Sequence, residues 1–285
     1  MASNDLIGRI REGYSGYTKA EKKVANYILE NTKKVLFMSI TDLADACEVG
    51  DTSVFRFCRS LRLQGYQEFK MQLSLSMNHD DLEVEEEIGN INLQDPFEVL
   101  AKKVLQNNIN AINETYGLIQ TADFAKVMHY LETADSIHFF GVGASMLTSM
   151  FAMNKFLKII PNVRCVMDSH MQAMSASMLG EGDVAIVISY SGATKDTIHV
   201  AKLAKQSGAR VICLTRYAKS PLTVYSDVTL LCGANEGPLD GGSTSSQMSQ
   251  MFLIDIMYNE FYRKRLEVTN KNIHKTADAV LDKIY

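Results

Sequence analysis

The residues with the clearest capacity for chemistry form one short stretch, Ser189-Tyr190-Ser191-Gly192-Ala193-Thr194. It follows an apolar run, Val184-Ala185-Ile186-Val187, that reads as a buried strand. It precedes Lys195-Asp196-Thr197-Ile198-His199-Val200-Ala201-Lys202-Leu203-Ala204, which reads as a helix. At such a junction the first backbone N–H groups of the helix lack intrahelical acceptors, and the helix dipole adds partial positive charge. An anion is favoured there, and hydroxyls add donors. With no basic residue inside it, the segment reads as a cradle for the phosphate of a small metabolite. A second junction repeats the layout: Ser136-Ile137-His138-Phe139-Phe140 as strand, Gly141-Val142-Gly143-Ala144-Ser145 as turn, then a helix from Met146 to Leu157. Met146 stands where the dinucleotide fingerprint needs its third glycine, and no Gly-Lys-Ser/Thr follows a glycine run. No cofactor is therefore expected. Capping by Ser or Thr would explain one such turn. Two in one parallel sheet point to a ligand beyond the carboxyl ends of its strands.

The elements that must position these turns alternate along the chain. Strand candidates lie at Ile137, Val163–Met167, Ala185–Ile188, Arg210–Leu214 and Val228–Leu231, with helical patterns between them. This predicts an α/β domain with a five-stranded parallel sheet flanked by helices, a Rossmann-like three-layer arrangement. Helices are also predicted over Phe97–Tyr116, Ala122–Thr133, Thr244–Leu266 and Asn272–Tyr285. Residues 1–77 read as helices only, an all-α domain. Thr18-Lys19-Ala20-Glu21 has the form of a capping box, and Ser39-Ile40-Thr41-Asp42 is a second cap signal. Residues 78–95 form an acidic linker, and residues 96–285 make up the α/β domain.

Net charge is −4 over 285 residues, which advertises no global attraction to nucleic acid. The distribution is uneven. Residues 1–77 carry +2, the linker carries seven acids and no Lys or Arg, and the remainder carries +1. Five scattered cysteines with no Cys-x-x-Cys pair read as buried thiols in a reducing compartment, and no metal-ligand spacing appears. No apolar run is long enough to span a bilayer, so a cytoplasmic protein is expected.

Within the first 77 residues, a short helix from Ser39, a break at Glu48-Val49-Gly50 and a helix over Asp51–Leu61 give a helix-turn-helix layout. At about 100° per residue, Val54, Phe57, Cys58 and Leu61 share a core face. Thr52, Phe55, Arg56 and Arg59 share the opposite face, and Ser53 adjoins them at the helix start. Arginine pairs with guanine or grips phosphate, and Thr contacts bases or backbone. An exposed ring at Phe55 favours a partner over a merely solvated face.

Two resemblances follow from these segments. Gly141-Val142-Gly143-Ala144-Ser145 and Ser189-Tyr190-Ser191-Gly192-Ala193-Thr194, with Asp168-Ser169-His170, Leu214-Thr215, Ser220-Pro221-Leu222 and Asp227, are similar to the sugar isomerase (SIS) domain over roughly residues 107–265. The resemblance implies that Ser145, Ser189, Ser191, Gly192 and Thr194 hold a sugar phosphate. Glu236, in a Gly-rich loop, is expected to reach sugar hydroxyls. Ala193 replaces a usual acid, and Gln247 a frequent arginine. Residues 5–77, through Val54-Phe55-Arg56-Phe57-Cys58-Arg59-Ser60-Leu61 and Gly65-Tyr66-Gln67-Glu68-Phe69-Lys70, resemble the DNA-binding domain of RpiR-type regulators. Gly50 stands where a serine usually caps the second helix, and Arg62-Leu63 replaces a Gly-aromatic pair.

Together the resemblances imply a transcription regulator without enzymatic activity. Its partners would be a double-stranded DNA operator read through Thr52, Ser53, Phe55, Arg56 and Arg59, and a sugar-phosphate effector. The assembly would be a homodimer or homotetramer. The alternative is an aldose–ketose phosphosugar isomerase with an accessory helical domain, for which His170, His199, Glu236 and Asp240 are the candidate acids and bases.

Overall fold

The computed structural model describes residues 5–77, 87–88, 91–92, 94–234, 236–238 and 242–283. Contacts divide the chain into two compact units, one of residues 1–107 with 235–243, the other of residues 108–234 with 244–285.

The first unit opens with α1 (Leu6–Glu12), capped by the Asp5 carboxylate, and a 3-10 turn over Gly13–Gly16. Then come α2 (Lys19–Glu30), α3 (Thr32–Leu36), α4 (Ile40–Ala46), α5 (Asp51–Ser60) and α6 (Tyr66–Ser76). Both cap signals form as expected. The Thr18 and Ser39 hydroxyls accept from the Glu21 and Asp42 N–H groups, while those carboxylates accept from the N–H groups of Thr18 and Ser39. The core packs Leu6, Ile10, Val24, Ile28, Leu43, Val54, Phe57, Phe69 and Leu73 into one cluster. Most of the stretch read as an acidic linker lies outside the described residues. Within it, β1 (Glu87–Ile88) pairs antiparallel with β2 (Ile91–Asn92), a pairing that the charge pattern did not reveal.

Helix α7 (Phe97–Leu118) contains the division between the units, which therefore falls inside a helix. The second unit continues with α8 (Thr121–Thr133), β3 (Ser136–Phe140), α9 (Ala144–Phe156), β4 (Val163–Cys165), α10 (Ser169–Ser177), β5 (Asp183–Ile188), α11 (Lys195–Gln206), β6 (Arg210–Thr215) and β7 (Val228–Leu231). It closes with α12 (Thr244–Lys264) and α13 (Leu266–Asp278). Helix α12 stops before Leu266, and the last helix starts earlier than periodicity predicts. Arg265 leaves the helical conformation at φ −120, and the buried Thr269 hydroxyl then bonds the carbonyls of Arg265 and Leu266.

The sheet is wholly parallel, in the order β4-β3-β5-β6-β7. Its strands alternate between two apolar faces, because successive side chains point to opposite sides. Ile137, Phe139, Ile186, Ile188, Ile212 and Leu214 join a cluster with Val127, Phe156 and Leu253 of α8, α9 and α12. Phe140, Ala185, Val187, Val211 and Cys213 join another with Ala176, Val200 and Ala201 of α10 and α11. That is the expected three-layer sandwich. The order in which strands are added reverses between β3 and β5: from β3 the chain moves out to β4, then returns to build the rest of the sheet from β5. A crevice for ligands forms at such a switch point.

Candidate effector turns and DNA-reading helix

Both hydroxyl-bearing turns stand at that switch point. Phe140, the last residue of β3, pairs with Val187 of β5, so the strands end side by side. Gly141–Ser145 leaves one strand and Ser189–Thr194 leaves the other.

The second turn is built to leave donors free. Thr194 is the N-cap of α11, yet its hydroxyl caps no amide. Among the described residues, the N–H groups of Lys195, Asp196 and Thr197 have no acceptor. Ser189 is 2% exposed, and its side chain makes no hydrogen bond among the described residues. Ser191 accepts only a long 3.3 Å bond from the Ala193 N–H. The loop backbone is held from beneath. The Tyr190 carbonyl accepts from the Thr215 hydroxyl at 3.1 Å and the Arg216 N–H at 2.9 Å, and the Gly192 carbonyl accepts from the Leu222 N–H at 2.9 Å. Gly192 sits at φ +60, and a Cβ there would overlap the Ser220 hydroxyl and lie 2.7 Å from Ser220 Cβ. The Ser220-Pro221-Leu222 segment thus works as the floor of the cradle, while Asp227 accepts from the Val211 N–H at 2.8 Å at the opposite ends of the strands.

In the first turn, Gly143 is the N-cap of α9 at φ +57 and offers no capping side chain. Ser145 lies in the first turn of α9, half-buried, with no side-chain hydrogen bond among the described residues. Gly141 is needed for space: a Cβ would lie 2.7 Å from the Ser145 carbonyl and 2.8 Å from Ser149 Oγ. Sequence reasoning missed the residue that holds this turn. The Gln172 side chain, 1% exposed on α10, donates to the Gly141 carbonyl at 2.9 Å and accepts from the Gly141 N–H at 3.3 Å. Its only sequence signal was its place three residues inside a helix that Asp168 caps through the Met171 N–H.

The other expected site residues are placed as follows. His170 and His199 are exposed on helices α10 and α11. Asp240 lies outside the described residues. The Glu236 carboxylate accepts from the Gly242 N–H and, at 3.5 Å, from the Ser243 hydroxyl, closing its own loop. One buried polar group was not anticipated. His138 in β3 lies between two serines, Nδ1 3.2 Å from Ser175 Oγ and Nε2 2.9 Å from Ser136 Oγ. Ser136 in turn donates to Asp183 at 2.6 Å. Burial lowers the His138 pKa below its ordinary value, which favours the neutral ring. All five thiols are pushed up by burial, Cys47 and Cys165 to about 11 and Cys58, Cys213 and Cys232 to about 12, which disfavours thiolate chemistry. No cluster of metal-ligating side chains occurs among the described residues.

In the first unit, α5 divides as its periodicity predicts. Val54, Phe57, Cys58 and Leu61 are buried, Thr52, Phe55, Arg56 and Arg59 are exposed, and Ser53 is intermediate. Gly50 is the N-cap and provides no side-chain bond. Asp51 instead accepts from the Thr41 hydroxyl at 2.9 Å, pinning the start of α5 to α4. Glu48 turns the chain between the two helices at φ +53, its carboxylate paired with Lys23 at 3.1 Å. Lys19, Lys23, Lys33 and Lys34 are exposed, Lys22 is half-buried, and all five lie on α2 and α3.

Comparison with known proteins matches both parts. The model of the rpiR-family helix-turn-helix domain covers residues 4–80, and that of the SIS domain covers residues 130–259. An uncharacterized HTH-type transcriptional regulator of Caldanaerobacter subterraneus subsp. tengcongensis is 34% identical over 97% of both chains. The chain belongs to the RpiR family of transcriptional regulators. The HTH-type transcriptional regulator HexR of Pseudomonas aeruginosa is 33% identical over 89% of this chain and 87% of its own. Among solved structures, the Vibrio vulnificus NanR protein complexed with ManNAc-6P superposes with a TM-score of 0.87 at 29% identity, covering 98% of this chain and 99% of that one. A regulator of this family combines a DNA-reading unit with a SIS unit, and both folds are present here in that order. No described helix is long and apolar enough to cross a membrane.

Proposed function

We propose that this regulator senses a phosphorylated sugar at the switch point of its sheet and adjusts its grip on an operator accordingly. One observation carries the reading: two turns at neighbouring strand ends present hydroxyls and helix-start amides that the described residues leave without acceptors. A phosphoryl group satisfies them together. Ser189, Ser191, Gly192 and Thr194 would hold it from one turn and Ser145 from the other. Glu236 suits the hydroxylated end of a sugar, because a carboxylate accepts from hydroxyls and repels phosphate. The NanR complex supports the ligand class, since a similar chain is described with an amino-sugar phosphate.

In this reading residues 1–77 form the DNA-binding domain, 78–95 the linker and 96–285 the effector domain. Thr52, Ser53, Phe55, Arg56 and Arg59 contact DNA. The protein acts in the cytoplasm as a homodimer or homotetramer, so that paired recognition helices meet successive major-groove faces of a roughly palindromic operator. It binds sugar phosphate without converting it. Aldose–ketose isomerisation needs a free base held beside the sugar carbons; His170 and His199 are solvated on helix surfaces, and the Glu236 carboxylate is engaged by the Gly242 N–H and the Ser243 hydroxyl.

A thermal-shift screen tests the effector reading with N-acetylmannosamine 6-phosphate, glucosamine 6-phosphate, glucose 6-phosphate and ribose 5-phosphate, each beside its unphosphorylated sugar. A ligand at about a hundred times its Kd stabilises the folded state by roughly 2.7 kcal/mol. At least one phosphorylated member should raise the melting temperature while its parent sugar does not. Equal response to both would refute a phosphate-led site.

A further inference from the structure

We propose that Arg62 is an anchor for a DNA phosphate, held beside the reading face of α5 in a backbone conformation that side chains adopt only at a cost. The inference rests on the reading of α5 as the DNA-contacting helix. Helix α5 ends in a paired turn: the Leu63 N–H donates to the Cys58 carbonyl at 3.1 Å and the Arg62 N–H to the Arg59 carbonyl at 2.9 Å. The residue between must be left-handed, and Arg62 has φ +62. Glycine favours that position because it has no Cβ. The chain builds the same turn with glycine after α11, where Ala209 and Gly208 donate to Ala204 and Lys205 and Gly208 has φ +92, and with Glu48 after α4, where Glu48 has φ +53 and its carboxylate pairs with Lys23. What sets Arg62 apart is a charged side chain in this place with no such partner among the described residues.

Capping the helix does not account for it. The Arg62 side chain bonds no carbonyl here among the described residues; Leu61 is served by the Arg9 guanidinium and Leu63 by Arg59 at 3.5 Å. Arg62 itself is exposed and, among the described residues, forms no hydrogen bond or ion pair. Its loop also folds back along the reading face. A Cβ on Gly65 would lie 3.4 Å from the Phe55 ring, and the bond from Arg59 ties Leu63 to the same side. The far end of the loop is closed by the Glu68 carboxylate, which accepts from the Gln64 N–H. Arg62 is thus an exposed cation on a braced loop whose neighbouring residues, Leu63 and Gly65, run beside Arg59 and Phe55. A phosphate contact adds affinity without reading sequence, so the anchor acts on any duplex.

The test uses the full-length protein and a fluorescein-labelled mixed-sequence duplex of about 30 base pairs, roughly three helical turns. Fluorescence anisotropy is recorded from about 50 to 200 mM salt, and melting temperatures are measured in parallel. Arg62→Gly removes charge and strain together, Arg62→Asn removes charge in a residue that tolerates the left-handed region, and Arg62→Lys keeps the charge. The Gly and Asn variants should bind several-fold more weakly, with the slope of log K against log salt reduced by about 0.9. The Lys variant should keep the wild-type slope. Unchanged affinity and slope in folded Gly and Asn variants would overturn the anchor alone. Absence of salt-dependent duplex binding by the wild type would instead overturn the DNA reading of α5 beneath it.

Discussion

At Gly192 two constraints coincide: a left-handed backbone and the Ser220 side chain lying where a Cβ would go. The neighbouring Ser191 is under no such demand, because its hydroxyl accepts one long bond and holds nothing in place. Ser191→Ala should therefore leave the fold intact. Its hydroxyl would donate to a charged phosphate, and bonds to charged groups contribute about 1.5–3 kcal/mol, so effector affinity should fall roughly ten- to a hundredfold. Isothermal calorimetry would show this, with operator affinity in the absence of effector unchanged. Gln172 acts on the opposite turn from beneath. Gln172→Ala strips two partners from the buried backbone of Gly141, and each unsatisfied group costs about 1–3 kcal/mol. A lowered denaturation midpoint and weaker effector binding are expected together. The place of Ser189, Ser191 and Thr194 at a strand-to-helix junction was legible in the sequence, because an apolar run followed by an amphipathic one has a local physical meaning. Gln172 was not, because its partner lies 31 residues away and only the packing of α10 beside β3 joins them.

Helix α5 shows what periodicity settles for an element. Its inward and outward faces were readable from spacing alone, since a helix buried on one side leaves few other solutions. Arg56→Ala and Arg59→Ala should each weaken operator binding. A variant that removes a phosphate contact should reduce the salt slope by about 1, and one that removes a base contact should relax specificity at that base. Gel-shift titrations at several salt concentrations, on operator and on scrambled duplex, separate the two. Helix α6 carries a feature that no pattern announced. Lys70 is 5% exposed, donates to the Met38 carbonyl at 3.2 Å and lies over the Tyr66 ring. Burial lowers its pKa from 10.5 to about 8. Below about pH 8 both folded and unfolded chains carry the proton, and the folded state bears the full desolvation cost. Between about pH 8 and 10.5 the folded state sheds the proton while the unfolded state keeps it, so stability rises with pH by up to about 3 kcal/mol. Denaturation of the wild type followed by far-UV circular dichroism should show that rise, and Lys70→Met should flatten it.

For the whole molecule, the proposal makes two binding events share one free energy. Coupling between such sites is typically about 1–3 kcal/mol, and it is reciprocal. The factor by which a sugar phosphate changes operator affinity should equal the factor by which operator changes sugar-phosphate affinity. Calorimetry with and without duplex, set beside anisotropy with and without ligand, checks the equality. A factor of one in both measurements would show that the two sites are uncoupled and would refute the proposal.

The amino-acid sequence by itself determined the helical and α/β parts, the capping boxes at Thr18 and Ser39, the faces of α5 and the two hydroxyl-bearing turns. These depend on interactions within a few residues or on the regular spacing of apolar side chains. Only the tertiary structure decided that the strands run β4-β3-β5-β6-β7, which sets Gly141–Ser145 beside Ser189–Thr194 at a reversal of strand order. It alone revealed Gln172 beneath Gly141, His138 between two serines, and the left-handed turn at Arg62. Strand order and long-range hydrogen bonds join residues far apart in the chain, and local pattern carries no record of which distant partner a buried polar group will meet.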